Sequence, residues 1–181
     1  MTNYHAKRPL TNDSPSRYQV IPRVLCFVTS ADDLLLLKGA PDKKLWAGKY
    51  NGLGGHVERG ESVHAAAWRE IQEEAGIPVA GLRLRGVVTV DLEAEPGIGL
   101  FVFTAMALSR DYTDSPEGGL EWVPISRVAA LDTVEDLPRL VSYVFSLPPD
   151  AAPFGGHYRY DPDGRLVMEF FSELVGADRP V

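Results

Sequence analysis

The stretch from Glu61 to Ala75 constrains the fold of this chain most strongly, because it is rich in alanine and glutamate and contains neither glycine nor proline. Such a composition favours an uninterrupted helix. Gly76 follows directly and Pro78 stands just beyond it, which is a typical helix stop. Ser62 is suited to cap the other end. The sequence therefore predicts an α-helix over this stretch.

Three carboxylates lie on one side of this predicted helix. Glu70, Glu73 and Glu74 are spaced so that their side chains stand above one another. Like charges at this spacing repel by about 0.2–0.5 kcal/mol per pair on an exposed helix, so a bound cation would stabilise the arrangement. Clustered oxygen ligands suit Mg²⁺ or Mn²⁺, and magnesium keeps positions for waters and substrate phosphates. The helix therefore predicts a divalent metal site that also binds phosphate.

The residues around these carboxylates strengthen the prediction. Gly52, Gly54 and Gly55 precede the helix and allow the backbone to turn and to approach other groups closely. Arg69 lies inside the acidic stretch, where its guanidinium can orient a carboxylate through a two-pronged contact. Glu61 is one candidate partner for it.

The composition indicates a globular protein without a polymeric partner. The chain has 181 residues, of which 45% are hydrophobic and 24% charged, which suffices for one domain with a sizeable core. Its 18 basic and 25 acidic residues give a net charge of −7, so no global positive field attracts a nucleic-acid backbone. We expect no nucleic-acid partner.

The sequence also predicts no membrane span and no secretion signal. The longest apolar stretches, such as residues 24–28 and 34–37, are far shorter than the roughly 20 residues that a span requires. The N-terminal residues lack the apolar core of a secretory signal, and the single Cys26 cannot form an internal disulfide. We expect a cytoplasmic protein in which Cys26 is a small core residue.

The remaining segments predict strands on both sides of the helix and a second helix near the end. From Ile21, two apolar strands are joined at residues 31–33, and a glycine-rich loop follows them. Further strands are predicted over 82–90, 100–108 and 120–125, a second helix with Pro138 early in it over 134–147, and a hairpin around the turn at 161–164. We expect residues 1–20 to form a tail or strap and residues 21–181 one α/β or α+β domain, with helices on the faces of a mixed sheet.

The segment GHVERGESVHAAAWREIQEEAGI, residues 55–77, matches every fixed position of the Nudix box, the signature of the Nudix hydrolases. The fixed positions of this box include a glycine, a glutamate, an arginine–glutamate pair and a glutamate pair, each at a set distance from the next. The resemblance implies an α/β/α Nudix sandwich with a mixed sheet. Two alternatives are a solvated amphipathic helix with a negative face, and a Nudix fold that binds nucleotides without catalysis.

The same resemblance implies hydrolysis of a nucleoside diphosphate linked to another moiety. Glu70, Glu73 and Glu74 would bind Mg²⁺ or Mn²⁺ with two phosphate oxygens, Glu74 being the first choice among them, while Arg69 belongs to the catalytic set. A nearby carboxylate would assist deprotonation of the attacking water. Glu117, in PEGGLEW, stands where a related subgroup supplies an extra ligand or base. The alternative is that Glu117 is a loop acid that faces solvent and has no role in the site.

Four further segments occur in the order seen in MutT-type hydrolases of oxidised purine nucleoside triphosphates. They are WAGKYNGLGGHV, PEGGLEW, TVEDLPRL and FGGHYRYDPDGRLVMEF. The resemblance implies that Asn51, Glu135 and Asp136 contact the purine, since a carboxylate accepts from N–H groups, a protonated one donates to a carbonyl, and an amide does both. The alternative for Asn51 is that it only forms the turn. The alternative for Glu135 and Asp136 is that they complement the dipole at the start of the helix.

The substrate-binding set is completed by the two box glycines, Gly54 and Gly55, and by Lys38, which can meet phosphates or remain solvated. The leading hypothesis is metal-dependent hydrolysis of a nucleoside triphosphate, favouring oxidised purines such as 8-oxo-dGTP, to a monophosphate and pyrophosphate. A second hypothesis is the same chemistry on ADP-ribose or dinucleotide polyphosphates. A third is a nucleotide-sensing module. We expect a monomer or homodimer with a small nucleotide as partner and no zinc site, because the histidines show no zinc-like spacing with cysteines.

Overall fold

One mixed β-sheet with a helix on each face organises the chain. The computed structural model describes residues 17–41, 46–92, 96–113 and 117–172. In chain order the elements are β1 (Val20–Ser30), β2 (Asp33–Gly39), β3 (Tyr50–Asn51), α1 (Val63–Ala75), β4 (Val79–Val90), β5 (Gly97–Ala107), β6 (Gly118–Pro124), a 3₁₀ helix (Ile125–Ala130), α2 (Leu137–Ser146), β7 (Phe154–Tyr160) and β8 (Leu166–Phe171).

The sheet combines parallel and antiparallel pairs. Its order is β3, β2, β1, β5, β4, β7, β8, and β6 pairs with β2. Strand β1 runs parallel to β5 and antiparallel to β2, and β4 runs antiparallel to β5 and parallel to β7. The predicted mixed sheet is therefore confirmed.

The buried run in β1 explains why both faces of the sheet are covered. Side chains alternate along a strand, and Leu25 and Phe27 pack into the core that contains Leu140 of α2. Cys26 faces the opposite way and packs into the core that contains Ile71 of α1. A strand that is apolar on both faces is typical of a sheet between two layers. The α/β/α sandwich is confirmed, and so is the burial of Cys26, which raises the pKa of its thiol far above the usual value.

The first helix has the predicted caps. The Ser62 hydroxyl accepts a hydrogen bond from the Ala65 N–H at 3.1 Å. At the other end Gly76 adopts a φ of 60°, and its N–H donates to the Gln72 carbonyl at 3.0 Å. Both caps are local, so the sequence was sufficient to predict them.

Several boundaries differ from the prediction, and two short elements were not predicted. The second helix begins at Leu137 rather than 134, because the Val134 N–H donates to the Tyr50 carbonyl and Thr133 bridges to Tyr50. Strand β4 begins at Val79 and is interrupted by register shifts after Ala80. The two-residue β3 and the 3₁₀ helix were not predicted, since such short elements carry no periodic pattern.

The predicted N-terminal tail falls mostly outside the described residues. Residues 1–16 and 173–181 are not described, and Val20 already belongs to β1. The division into a tail and a domain therefore stays a prediction. None of the helices in the described part of the chain is long and apolar enough to cross a membrane.

Candidate active site

Arg69 joins the acidic side chains at the start and on the outer face of α1. Its Nε and Nη2 donate to Glu61 at 3.2 and 2.8 Å, and its Nη1 donates to Glu70 and Glu73, each at 2.9 Å. Nη2 also donates to the His56 carbonyl at 3.0 Å. These bonds raise the pKa of Arg69 above its usual value and lower that of Glu61. The predicted pairing of Arg69 with Glu61 is present, and it also includes two of the three helix carboxylates.

Two glycines in the loop before α1 lie against Glu74 and Glu70. The Gly54 N–H donates to Glu74 Oε2 at 2.8 Å. A Cβ on Gly54, whose φ is 148°, would lie 2.1 Å from the Val24 carbonyl oxygen, and one on Gly55 would lie 2.4 Å from Glu70 Oε1. Only glycine fits at position 54, where the neighbour is backbone, whereas a side chain at position 55 would displace the Glu70 carboxylate. The predicted close approach of the backbone is therefore present.

Burial and neighbouring negative charges disfavour the ionised form of Glu70. Burial raises the pKa of Glu70, the adjacent Arg69 guanidinium opposes that shift, and the charges of Glu73 and Glu117 add to it. Glu74 is only 5% exposed. Glu117 therefore lies within electrostatic reach of Glu70, and its role as an extra ligand or base stays a prediction.

The donor set fits a hard divalent cation. All four acids offer carboxylate oxygens, which are the ligands that Mg²⁺ and Mn²⁺ prefer, and Glu70 and Glu74 contact adjacent loop residues. Within the described ranges no three acidic, cysteine or histidine side chains converge closely enough to coordinate one ion. One oxygen each of Glu70 and Glu73 is engaged by Arg69, so binding requires these side chains to adjust. The metal ligands remain a prediction.

A cleft of about 270 Å³ opens beside the glycine loop. It brings together five of the predicted substrate-binding residues, which are Asn51, Gly54, Gly55, Glu135 and Asp136. Its other walls are mainly apolar and aromatic and are formed by Arg23, Val24, Leu25, Trp46, Val90, Leu92, Ile98, Leu100, Val134, Tyr158, Tyr160 and Leu166. A mainly apolar cleft with a few polar groups is typical of a small-molecule site. A larger depression of about 890 Å³ between α2 and β8 contains none of the predicted site residues.

Lys38 does not line this cleft. Its exposed side chain lies over the Tyr50 ring, with Nζ at 5.2 Å from the ring centroid. The Tyr50 hydroxyl in turn donates to Glu121 at 2.6 Å. A contact between Lys38 and a phosphate stays a prediction, and the observed partner is an aromatic ring.

The polar side chains in the cleft differ in their local partners. Asn51 Oδ1 accepts from the Gly52 N–H at 2.8 Å, so Asn51 forms the turn and also lines the cleft. Asp136 is the N-cap residue of α2, but its side chain makes no capping hydrogen bond. Burial raises the pKa of Asp136, and the negative charge of Glu135 adds to the shift. The contact of Asp136 with a base therefore stays a prediction, and so does its alternative, an acid that complements the helix dipole.

Two tyrosines in the cleft were missed by the sequence reasoning. Tyr158 and Tyr160 stand two residues apart along β7, which predicts a shared face but not which cleft that face borders. The parallel pairing of β7 with β4, which sets Tyr158 opposite Val90, brings them to the site. That pairing joins distant parts of the chain and leaves no local signal.

Comparison with known proteins decides the family. The NUDIX domain matches residues 20–144 of the chain. The chain belongs to the NUDIX family. It is a Nudix hydrolase, similar to the oxidized purine nucleoside triphosphate hydrolase of Mus musculus, with 29% identity over 140 residues covering 77% of this chain and 87% of the relative.

Two further proteins are similar to this Nudix hydrolase over most of its length. The uncharacterized Nudix hydrolase YvcI of Bacillus subtilis is 31% identical over 152 residues, covering 81% of this chain and 92% of that protein. The crystal structure of the mutator MutT protein from Bacillus halodurans has a TM-score of 0.66 at 27% identity, and covers 83% of this chain and 97% of that one. Nudix hydrolases generally use a divalent metal.

Arg69→Lys is expected to weaken Mn²⁺ binding by about 10–100-fold, because one ammonium group cannot hold the acids that the guanidinium holds together. Calorimetric titration with Mn²⁺ measures the change. Arg127→Lys, in the exposed 3₁₀ helix, is the matched control and should leave the affinity unchanged. Equal affinities of the Arg69 variant and the wild type would contradict a positioning role for Arg69.

Proposed function

We propose that this Nudix hydrolase cleaves nucleoside triphosphates to a nucleoside monophosphate and pyrophosphate, with oxidised purines such as 8-oxo-dGTP favoured. One observation carries the proposal. Gly54 and Gly55 line the cleft and also contact Glu74 and Glu70, respectively. A ligand in the cleft is thereby placed directly beside the carboxylate helix.

The carboxylates of Glu70, Glu73, Glu74 and Glu117 are the residues that would hold Mg²⁺ or Mn²⁺. Such an ion, when bound, neutralises charge on the phosphoryl oxygens and lowers the pKa of water. Arg69 holds Glu70 and Glu73 in fixed orientations through Nη1. The Gly54 N–H fixes Glu74 Oε2 in the same way, so the protein contributes mainly positioning and charge.

Glu74 is the carboxylate to which we assign the central role in hydrolysis. It is the most buried of the helix acids, and its hydrogen bond to Gly54 orients it toward the loop that lines the cleft. A carboxylate in this position can hold a cation or accept the proton of the attacking water. Glu73, which is largely exposed, and Glu70 complete the set.

Base recognition is assigned to the polar end of the cleft. Asp136 and Asn51 offer a carboxyl and an amide there, and the apolar walls exclude water from around the base. The raised pKa of Asp136 makes the protonated form more accessible, which lets this side chain donate as well as accept. The name of the Mus musculus relative, an oxidized purine nucleoside triphosphate hydrolase, supports this substrate class.

A substrate panel with Mg²⁺ tests the proposal. The purified chain is assayed on 8-oxo-dGTP, dGTP, dTTP, ADP-ribose and diadenosine tetraphosphate, and the products are identified by chromatography. We expect the highest kcat/KM for 8-oxo-dGTP, with the monophosphate and pyrophosphate as products. A higher kcat/KM for ADP-ribose or the dinucleotide would overturn the assignment, and nucleotide binding without turnover would indicate a sensing module.

Asp136→Asn is expected to lower kcat/KM for 8-oxo-dGTP by about 10–100-fold and for dTTP by less than about 3-fold, because a hydrogen bond to an ionisable group contributes about 1.5–3 kcal/mol. Steady-state kinetics on both substrates measure the ratio. Asp132→Asn, at an exposed residue that pairs with Lys49 outside the cleft, is the control for the same chemical change. Equal losses on the two substrates would contradict base recognition by Asp136.

A further inference from the structure

The Tyr158 hydroxyl is a buried polar group with no hydrogen-bond partner. The residue is 2% exposed, and its hydroxyl alone, among the buried side-chain nitrogen and oxygen atoms of the described residues, lacks a partner. Buried hydroxyls are normally paired, because an unpaired one forgoes its bonds to water without replacement. An exception in a native structure therefore requires an explanation. A hydrogen bond from the hydroxyl to a bound ligand is such an explanation.

The surroundings of Tyr158 point to the cleft. Its ring packs edge-on against Phe170, with ring centroids 5.9 Å apart, and it forms part of the cleft wall together with Asp136. Burial raises the pKa of the Tyr158 phenol, and the charge of Asp136 raises it further. The phenol is therefore protonated at neutral pH and lies within electrostatic reach of the carboxyl group, yet it makes no hydrogen bond to it.

We propose that the Tyr158 hydroxyl is a specificity-determining group that donates a hydrogen bond to the nucleotide base beside Asp136. This inference rests on the proposed function and deepens it. A phenol donor next to a carboxylate acceptor complements a base edge that carries a carbonyl next to an N–H group. A 6-oxopurine has this edge, with the carbonyl at C6 and the hydrogen at N1, whereas a 6-aminopurine has an amino group at C6 and no hydrogen at N1, so the pair selects 6-oxopurine over 6-aminopurine nucleotides.

The variant Tyr158→Phe isolates the hydroxyl. It retains the ring that packs on Phe170 and removes only the oxygen that lacks a partner. Removing an unpaired buried group does not destabilise a fold, so we expect a melting temperature equal to or above that of the wild type. Tyr143→Phe is the matched control, because its ring stacks on the same Phe170 at 4.2 Å but does not line the cleft.

Two measurements decide the inference. In steady-state kinetics with Mg²⁺, Tyr158→Phe should lower kcat/KM for 8-oxo-dGTP by about 10-fold, mainly through KM, and for dATP by less than about 2-fold. In calorimetry without metal, the same variant should bind 8-oxo-dGMP about 10-fold more weakly than the wild type, with the affinity for dAMP unchanged. Tyr143→Phe should match the wild type in both.

The two readouts separate this inference from the proposed function. If the wild type prefers ADP-ribose to triphosphates, the proposed function fails. The role of Tyr158 is then tested only by the affinity of the variant for the nucleoside monophosphates. If the wild type hydrolyses 8-oxo-dGTP and Tyr158→Phe is equal to it in kinetics and in binding, only the role of Tyr158 is overturned. Equal losses on 8-oxo-guanine and adenine ligands would also overturn it, because they indicate a structural role.

Discussion

Replacing Glu74 with glutamine is expected to lower kcat by about 10²–10⁴-fold, the range for loss of a positioned acid–base group. Glutamine keeps the size of the side chain and an oxygen that can accept from the Gly54 N–H, so the contact at 2.8 Å survives while the charge is lost. The variant should therefore fold as the wild type does and fail in hydrolysis. Kinetics with saturating Mg²⁺ measure the loss, and circular dichroism verifies the fold.

Glu169→Gln is the matched control for this change. Glu169 lies on β8 at the far edge of the sheet, where it pairs with His157 and Arg159, and it does not line the cleft. This variant should retain wild-type turnover. Wild-type turnover by Glu74→Gln would instead remove Glu74 from the mechanism and leave Glu70, Glu73 and Glu117 as the acids to test.

Gly54→Ala is expected to destabilise the fold by about 3 kcal/mol or more. Its φ of 148° is strained for alanine, and the added Cβ would lie 2.1 Å from the Val24 carbonyl oxygen. Both partners are backbone, and the contact lies where the Val24 N–H donates to the Gly55 carbonyl at 2.9 Å, so neither side can move without breaking that link. Urea unfolding followed by fluorescence measures the free energy of unfolding.

Variants at two other glycines distinguish the part of this loss that comes from backbone strain from the part that comes from the steric clash. Gly60 has a φ of 92° with open space around it, so Gly60→Ala should lose only the conformational part, about 1 kcal/mol. Gly119 has neither a positive φ nor a close neighbour, and Gly119→Ala should change stability by about 0.5 kcal/mol or less. A Gly54 variant no less stable than the Gly60 variant would show that the loop can move away from β1.

The local elements of this protein were predictable because their causes are local. The Ser62 cap, the left-handed Gly76 and the helix between them follow from neighbouring residues, and the structure shows all three. The turn before β8 is similar, since Asp161 Oδ1 accepts from the N–H groups of Asp163 and Arg165, each at 2.9 Å. By contrast β3 exists only because Lys38 pairs with Tyr50 and Leu37 with Asn51 across a loop.

The shape of the cleft was not predictable in the same way. Asp136 comes near Asn51 because Thr133 bridges to Tyr50, and Tyr158 reaches the site because β7 pairs with β4. Each of these contacts joins segments that are far apart in the chain. Which segments pair depends on how the whole sheet buries its apolar faces, and a short sequence motif does not encode this choice of neighbours.

By itself, the sequence determined the carboxylate helix, the glycines before it and the arginine within it, because helical periodicity and chain flexibility set those positions over a few residues. Only the tertiary structure decided that Glu61, Glu70 and Glu73 share one guanidinium, that Glu117 lies within electrostatic reach of Glu70, and that a tyrosine with an unpaired hydroxyl lines the cleft. The physical reason is that side-chain spacing along a helix is fixed by its geometry, whereas the neighbours of a strand are selected by burial of the whole sheet.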